Sequence, residues 1–265
     1  MIVANQIARD NPLAARLGSK LSSLGYAPDE LEQLVRLMCL LKELPPPPDP
    51  LGLFPDYASF KESFLAATEG GDSEVLEEAF LTLYAHLHGY EAPYTAKERR
   101  LVDETGGYWC HAGGLAPILK SAPFIRPDTV SGDFGAGNGL QTLLMQWLTP
   151  HERTVMVEIS SRMVEAGRQL QSWLSIPEER VEWIVGDVLD VSPAGMDFIY
   201  LYRPVRPEGH GRRFYERFAG ELEETDRSVV IFSIADCLRS FLSDKFEIFY
   251  RDGHLTCFRR DTIDQ

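Results

Sequence analysis

At 265 residues, 44% of them hydrophobic, and with a formal net charge of −14, the chain has enough apolar material for one large domain or for an α/β domain with a smaller helical part. No apolar run approaches the length of a membrane span, since Arg9, Asp10, Arg16 and Lys20 interrupt the first stretch, so neither insertion nor secretion is indicated. The acidic balance disfavours nucleic acid as a partner, because affinity for a phosphate backbone is mostly electrostatic, although a local basic patch would override the average. Cys39, Cys110, Cys237 and Cys257 are scattered and form no Cys-x-x-Cys pair; they point away from a zinc site and towards a reducing, cytoplasmic setting.

Residues 1 to about 120 have helical periodicity and little strand character. Leu13, Leu17, Leu21 and Leu24 recur at helical spacing, and Pro28-Asp29-Glu30 opens a second helix with Leu31, Leu34, Val35, Met38 and Leu41 on one face. Pro45 to Pro48 stops it and forms a stiff connector. Two further helices are expected over 57–69 and 73–89, the second capped by Asp72 or Ser73. His86 and His88 lie two apart, a poor spacing for joint metal ligation on a helix; one packed and one exposed histidine is the expectation, and no metal is expected.

From residue 129 the rhythm becomes strand, helix, strand, helix, as in a doubly wound sheet. Strands are expected near 129–134, 154–158, 181–185, 196–202 and 228–234, with helices reaching about Leu148, over 160–173, 212–222 and 235–242. Asp252-Gly253 between two alternating runs signals a terminal antiparallel hairpin.

The stretch that organises the chain is Asp133-Phe-Gly135-Ala-Gly137-Asn138-Gly139, where the first strand gives way to a helix. Three alternating glycines allow a sharp turn and a flat ligand against the backbone. A dinucleotide site would place a glycine where Leu140 stands, and a pyrophosphate would be repelled by the acid at the strand end; a ligand carrying an ammonium or sulfonium suits Asp133 better. Ligands of open α/β sheets bind outside the carboxyl ends of the strands, and Glu158 and Asp187 stand at the ends of strands 2 and 3.

This arrangement resembles motif I of the class I S-adenosylmethionine-dependent methyltransferases, over about residues 105 to 260. The resemblance implies an α/β fold, a doubly wound seven-stranded sheet with a C-terminal antiparallel hairpin, here preceded by an α-helical N-terminal region. The expected division is a helical lid and substrate region over 1–120 and a methyltransferase core over 121–265. It further implies S-adenosylmethionine as cofactor. Asp133 would help place the methionine ammonium, Glu158 would accept from the ribose hydroxyls and Asp187 from the adenine amine; Gly135, Gly137, Asn138 and Gly139 would form the cradle, with Tyr108 beside it. Tyr108, Trp109 and His111 precede the first strand, where family members fold a segment over the ligand; equally, these aromatics would tie the helical part to the sheet.

The acceptor is less legible. The loop after strand 4, Tyr202-Arg203-Pro204-Val205-Arg206-Pro207, lacks Asn-Pro-Pro-Tyr, which disfavours methylation of a base or amide nitrogen. Arg203, Arg206, Arg212 and Arg213 suit a carboxylate or phosphate, or else pair with neighbouring acids such as Glu216. The candidate catalytic residues are Tyr202, Arg203 and His111. The expected activity is O- or N-methylation of a small, anionic acceptor. The alternatives are a scaffold that binds cofactor without catalysis, and a methyltransferase acting on protein or RNA.

Overall fold

The computed structural model describes residues 13, 27–88, 94–108 and 113–261. Seven strands form one sheet: β1 (Val130–Phe134), β2 (Arg153–Glu158), β3 (Val181–Val185), β4 (Phe198–Tyr202), β5 (Val229–Ile234), β6 (Glu247–Arg251) and β7 (Leu255–Arg260). Their order is β3-β2-β1-β4-β5-β7-β6, with β1 to β5 parallel and β7 antiparallel to both its neighbours. The chain reverses between β1 and β4, which opens a crevice at the carboxyl ends of these strands.

Eight helices accompany the sheet among the described residues: α1 (Pro28–Glu43), α2 (Tyr57–Glu69), α3 (Ser73–His86), α4 (Ala96–Thr105), α5 (Leu115–Ser121), α6 (Leu140–Leu148), α7 (Ser161–Trp173) and α8 (Gly209–Glu224). Local signals set their ends. Asp72 accepts from the backbone amides of Glu74 and Val75 to start α3, Thr95 and Glu98 form a capping box on α4, and Gly106 ends α4 in the left-handed conformation.

Strand alternation builds two apolar layers. Met156, Phe198 and Phe232 face one side, where Leu37 of α1, Phe64 of α2 and Phe80 of α3 join them in one buried cluster. Val157, Ile199 and Ile231 face the other side and pack on Phe214, Phe218 and Leu222 of α8. The N-terminal helices therefore share a core with the sheet. Lys120 of α5 also pairs with Glu30 of α1 at 2.6 Å, and the proline connector is held where Trp173 Nε1 donates to the Pro45 carbonyl at 2.9 Å.

Two expectations fail. No helix forms over 235–242, because Ala235 (φ 60°) and Asp236 (φ 40°) leave β5 in left-handed backbone, from which a right-handed helix cannot start. His86 and His88 are both buried: α3 ends at His86, so the phase of the helix no longer governs His88. The expected helix around Leu13 to Leu24 lies, apart from Leu13, outside the described residues, as do Trp109 and His111.

Candidate functional site

The three glycines after β1 all adopt positive φ, 82° at Gly135, 59° at Gly137 and 68° at Gly139, a region that side chains with a Cβ rarely enter. Close packing adds a second reason. A Cβ on Gly135 would sit 2.7 Å from Pro204 Cβ, and one on Gly139 would sit 2.4 Å from the Trp183 ring. The loop is folded back on β2, since the amides of Gly135 and Ala136 both donate to the Val157 carbonyl, at 2.8 and 3.0 Å. Asn138 belongs to the same loop, but its side chain is engaged within the protein: Oδ1 accepts from the Leu140 amide and Nδ2 donates to the Leu87 carbonyl at 3.3 Å. Asn138 thus ties the cradle to the end of α3.

Asp133, Glu158 and Asp187, from three separate strand ends, line one cavity with the glycine loop. Asp133 is 2% exposed and accepts from Thr142 Oγ1 at 2.5 Å. Burial pushes its carboxyl up to about 7, opposed by the Thr142 hydrogen bond and reinforced by the nearby Glu158. Glu158 is 5% exposed. Its Oε2 accepts from the Gly137 amide and its Oε1 from the Ser160 amide, both at 2.9 Å; burial raises its pKa against these bonds. Asp187 Oδ1 accepts from the Leu189 amide at 2.9 Å, while Oδ2 lies 2.8 Å from His210 Nε2 in the first turn of α8.

The opposite wall comes from the helical layer and β4. His88 is 5% exposed; its Nδ1 accepts from the Gly113 amide at 3.5 Å, and its buried Nε2 has no hydrogen-bond partner. Burial lowers the His88 pKa to about 4, so the ring is neutral at physiological pH. The ring meets Tyr84 edge-on at 4.8 Å, and Tyr84 donates to Gln141 Oε1 at 2.7 Å. Tyr200 is 2% exposed, stands beside Asp133 in the β1–β4 pairing, and has a buried hydroxyl without a partner.

At the mouth, residues 106–108 run antiparallel to 204–206: the Tyr108 amide donates to the Pro204 carbonyl at 3.1 Å and the Arg206 amide to the Gly106 carbonyl at 2.9 Å. Two guanidinium groups stack on the Tyr108 ring, with Arg203 at 4.5 Å and Arg206 at 5.4 Å from its centre. Arg203 is strained, at φ 25°, and its buried Nε lacks a partner. Tyr202 lines the cavity and meets His254 edge-on at 6.0 Å. The four arginines divide, because Arg212 pairs with Glu216 at 2.7 Å and Arg213 donates to His210 Nδ1 at 3.2 Å.

Tyr108, Asp133, Gly135, Gly137, Asn138, Glu158, Asp187, Tyr202 and Arg203 thus surround one cavity. Gly139 stands behind the loop against Trp183 and Met156. His111 lies outside the described residues. Sequence reasoning did not place His88 and Tyr200 in the site; it offered His210 as a candidate base, and the structure sets that ring beside Asp187.

The residues present fit S-adenosylmethionine: the cavity pairs a buried acid with unpartnered hydrogen-bond donors, beside a loop whose glycines a side chain would force out of shape. The strand order, with antiparallel β7 between β5 and β6, is that of a Rossmann-like, class I methyltransferase, and the chain has this fold. No family model matches the sequence, and no curated protein matches it. Solved structures similar to it include a conserved hypothetical protein from Streptococcus pyogenes (15% identity, TM-score 0.41, covering 54% of this chain and 95% of that one). Others are a protein of the NADB-Rossmann superfamily from Streptococcus agalactiae (13%, 0.41, 56% and 69%) and an rRNA methylase from Streptococcus thermophilus (12%, 0.40, 53% and 92%).

Similar structures include an rRNA methylase, and the expectation that nucleic acid is disfavoured, which rested on net charge alone, does not stand. A net charge sums over the whole chain, whereas a phosphate meets only the side chains at its point of contact. Among the described residues, no helix is long and apolar enough to cross a membrane.

Proposed function

We propose that the protein transfers a methyl group from S-adenosylmethionine to an acceptor that presents an anionic group at the mouth of the crevice. The observation that carries this reading is the convergence of Asp133, Glu158 and Asp187 with the left-handed glycine loop on one cavity. The cofactor supplies an activated methyl on a sulfonium. Glu158 and Asp187 would hold its ribose and adenine, and Asp133 its ammonium, where a cation offsets the burial of the carboxylate.

The acceptor would lie by Tyr202 and Arg203, at the ends of β4 and β5. Holding a nucleophile in line with the methyl group supplies much of the rate in such a displacement. Arg203 and Arg206, spread on the Tyr108 ring, keep donors free for a carboxylate or a phosphate, so a metabolite and an RNA backbone both meet the requirement. The helical region would serve as the outer wall that selects the acceptor, because its segment 106–108 is hydrogen-bonded to the loop carrying Arg203.

The test is transfer of labelled methyl from S-adenosylmethionine into a cell extract separated into RNA, protein and small molecules, comparing wild type with Arg203→Ala. Label in one fraction, reduced at least tenfold in the variant, is the expected result. Binding of cofactor with no label in any fraction would instead support a non-catalytic scaffold.

A further inference from the structure

Two polar side chains in the cavity wall are left without partners although each is more than nine-tenths buried: His88 Nε2 and the Tyr200 hydroxyl. Because His88 Nδ1 accepts the Gly113 amide, the proton of the neutral ring sits on Nε2, which is therefore a donor. An unsatisfied buried donor is costly, so a fold that keeps two beside one cavity is arranged for an acceptor that comes with the ligand.

Neither donor is free to turn elsewhere. The His88 ring is fixed edge-on against Tyr84, itself anchored to Gln141, and Leu87 is latched to Asn138 of the glycine loop. Tyr200 is held in the β4 ladder next to Asp133. The lining therefore offers two neutral donors together with the buried carboxylate of Asp133. That combination suits a group that is anionic on one atom and cationic on its neighbour, the free α-amino-acid end of a ligand.

We propose that His88 and Tyr200 are specificity-determining residues that read the α-carboxylate of the bound cofactor, while Asp133 takes its ammonium. This rests on the cofactor reading above and adds a discrimination: the site accepts S-adenosylmethionine and S-adenosylhomocysteine and rejects decarboxylated S-adenosylmethionine, whose aminopropyl end has nothing to accept these donors. Methyl transfer then follows on this fold, and aminopropyl transfer does not.

Calorimetric titration of the full chain separates the possibilities. Wild type is expected to bind S-adenosylhomocysteine at least tenfold more tightly than decarboxylated S-adenosylmethionine. His88→Phe and Tyr200→Phe should each weaken S-adenosylhomocysteine about tenfold and leave 5′-methylthioadenosine, which has no amino-acid end, within twofold. His88→Gln, which keeps an N–H donor, should recover part of the loss. Tyr200→Phe removes a single hydroxyl, so it remains informative if the His88 variants misfold. Equal losses for both ligands, or unchanged S-adenosylhomocysteine affinity in both variants, would overturn the assignment while leaving the cofactor reading intact. Wild type that binds none of these nucleosides overturns the cofactor reading, and the assignment with it.

Discussion

His210 Nε2 lies 2.8 Å from Asp187 Oδ2, which joins the first turn of α8 to the end of β3 across the mouth of the crevice. Arg213 donates to the other ring nitrogen, which fixes the ring with Nε2 beside the carboxylate. Asp187 Oδ1 meanwhile caps the short helical turn Val188–Asp190 through Leu189. An acid with one oxygen bonded to an amide and the other packed beside an imidazole is held in one orientation, and the orientation of a recognition group sets its worth to a ligand.

His210→Ala should therefore weaken 5′-methylthioadenosine about fivefold, the equivalent of roughly 1 kcal/mol. The capping bond to Leu189 survives, so thermal stability should change little. Calorimetry with a melting curve on the same sample reads both quantities. An undiminished affinity would show that His210 does not orient Asp187 for the ligand.

Glu158 has a double role that its sequence position alone does not reveal. Its oxygens take the amides of Gly137 and Ser160, so it organises the loop it would share with the ribose. Glu158→Ala should lower the stability of the ligand-free protein by about 1–3 kcal/mol, the cost of buried donors left unpaired, and also abolish measurable cofactor binding. Glu158→Gln retains one acceptor and should recover part of the stability with little of the affinity. Urea unfolding set beside calorimetry separates these effects.

The strands and the strand-end acids were legible because each is written locally, whereas the strand order was implied only by the resemblance. Alternating apolar residues ended in an acid, and Asp133-x-Gly-x-Gly-x-Gly marked the turn. Asp252-Gly253 likewise marked the hairpin, whose turn the Asp252 carboxylate closes onto the amides of His254 and Leu255. What was not legible depends on pairs distant in sequence. His88 meets Gly113 across 25 residues, and Asn138 meets Leu87 across 51. The failed helix after β5 is a tertiary effect: the Ala235 amide donates to the His254 carbonyl at 2.8 Å, and the chain turns left-handed there against a local pattern that favours helix.

Asp133 gives a pH signature. Its folded pKa is raised from 3.8 to about 7, so between those values the folded state binds more protons than the unfolded. Its contribution to stability is complete below about 3.8 and is lost as pH rises through 7, a swing of at most roughly 4 kcal/mol. Ligand-free Asp133→Asn should thus be more stable than wild type at pH 8, by an amount that shrinks as pH falls and vanishes below about 4. His88 works in the opposite sense below pH 6.5 but cancels in this difference. Ligand ammonium should drive a proton off Asp133, so titrations in buffers of different ionisation heat should show release of about one proton at pH 6 and none above pH 8. Release that is independent of pH would exclude Asp133 as the ammonium partner.

The shared core fixes how the chain tolerates truncation. Leu37, Phe64 and Phe80 belong to the same buried cluster as Met156, Phe198 and Phe232, and α1 packs on α5 and α6, so removing residues 1–95 uncovers apolar surface of that helical layer. The truncated chain should be insoluble or aggregated on size-exclusion chromatography. A monodisperse, cofactor-binding fragment would show that the helical layer is dispensable.

Arg203 and Ala235 follow the paired residues Tyr202 and Ile234, and both enter left-handed backbone. Neighbouring strand ends thus carry strain side by side at the place assigned to the acceptor. A non-glycine residue held there costs of order 1–3 kcal/mol. Glycine normally lowers stability relative to alanine by enlarging the unfolded ensemble, but at this position it should also release strain. Arg203→Gly is therefore expected to be more stable than Arg203→Ala by about 1 kcal/mol in chemical unfolding, the reverse of the usual order. Both variants lose the guanidinium on Tyr108 and should lose methyl transfer alike. If transfer fails in both while the Gly variant is the more stable, the backbone strain serves to present the arginine side chain; the usual stability order would mean that Arg203 sits there without strain.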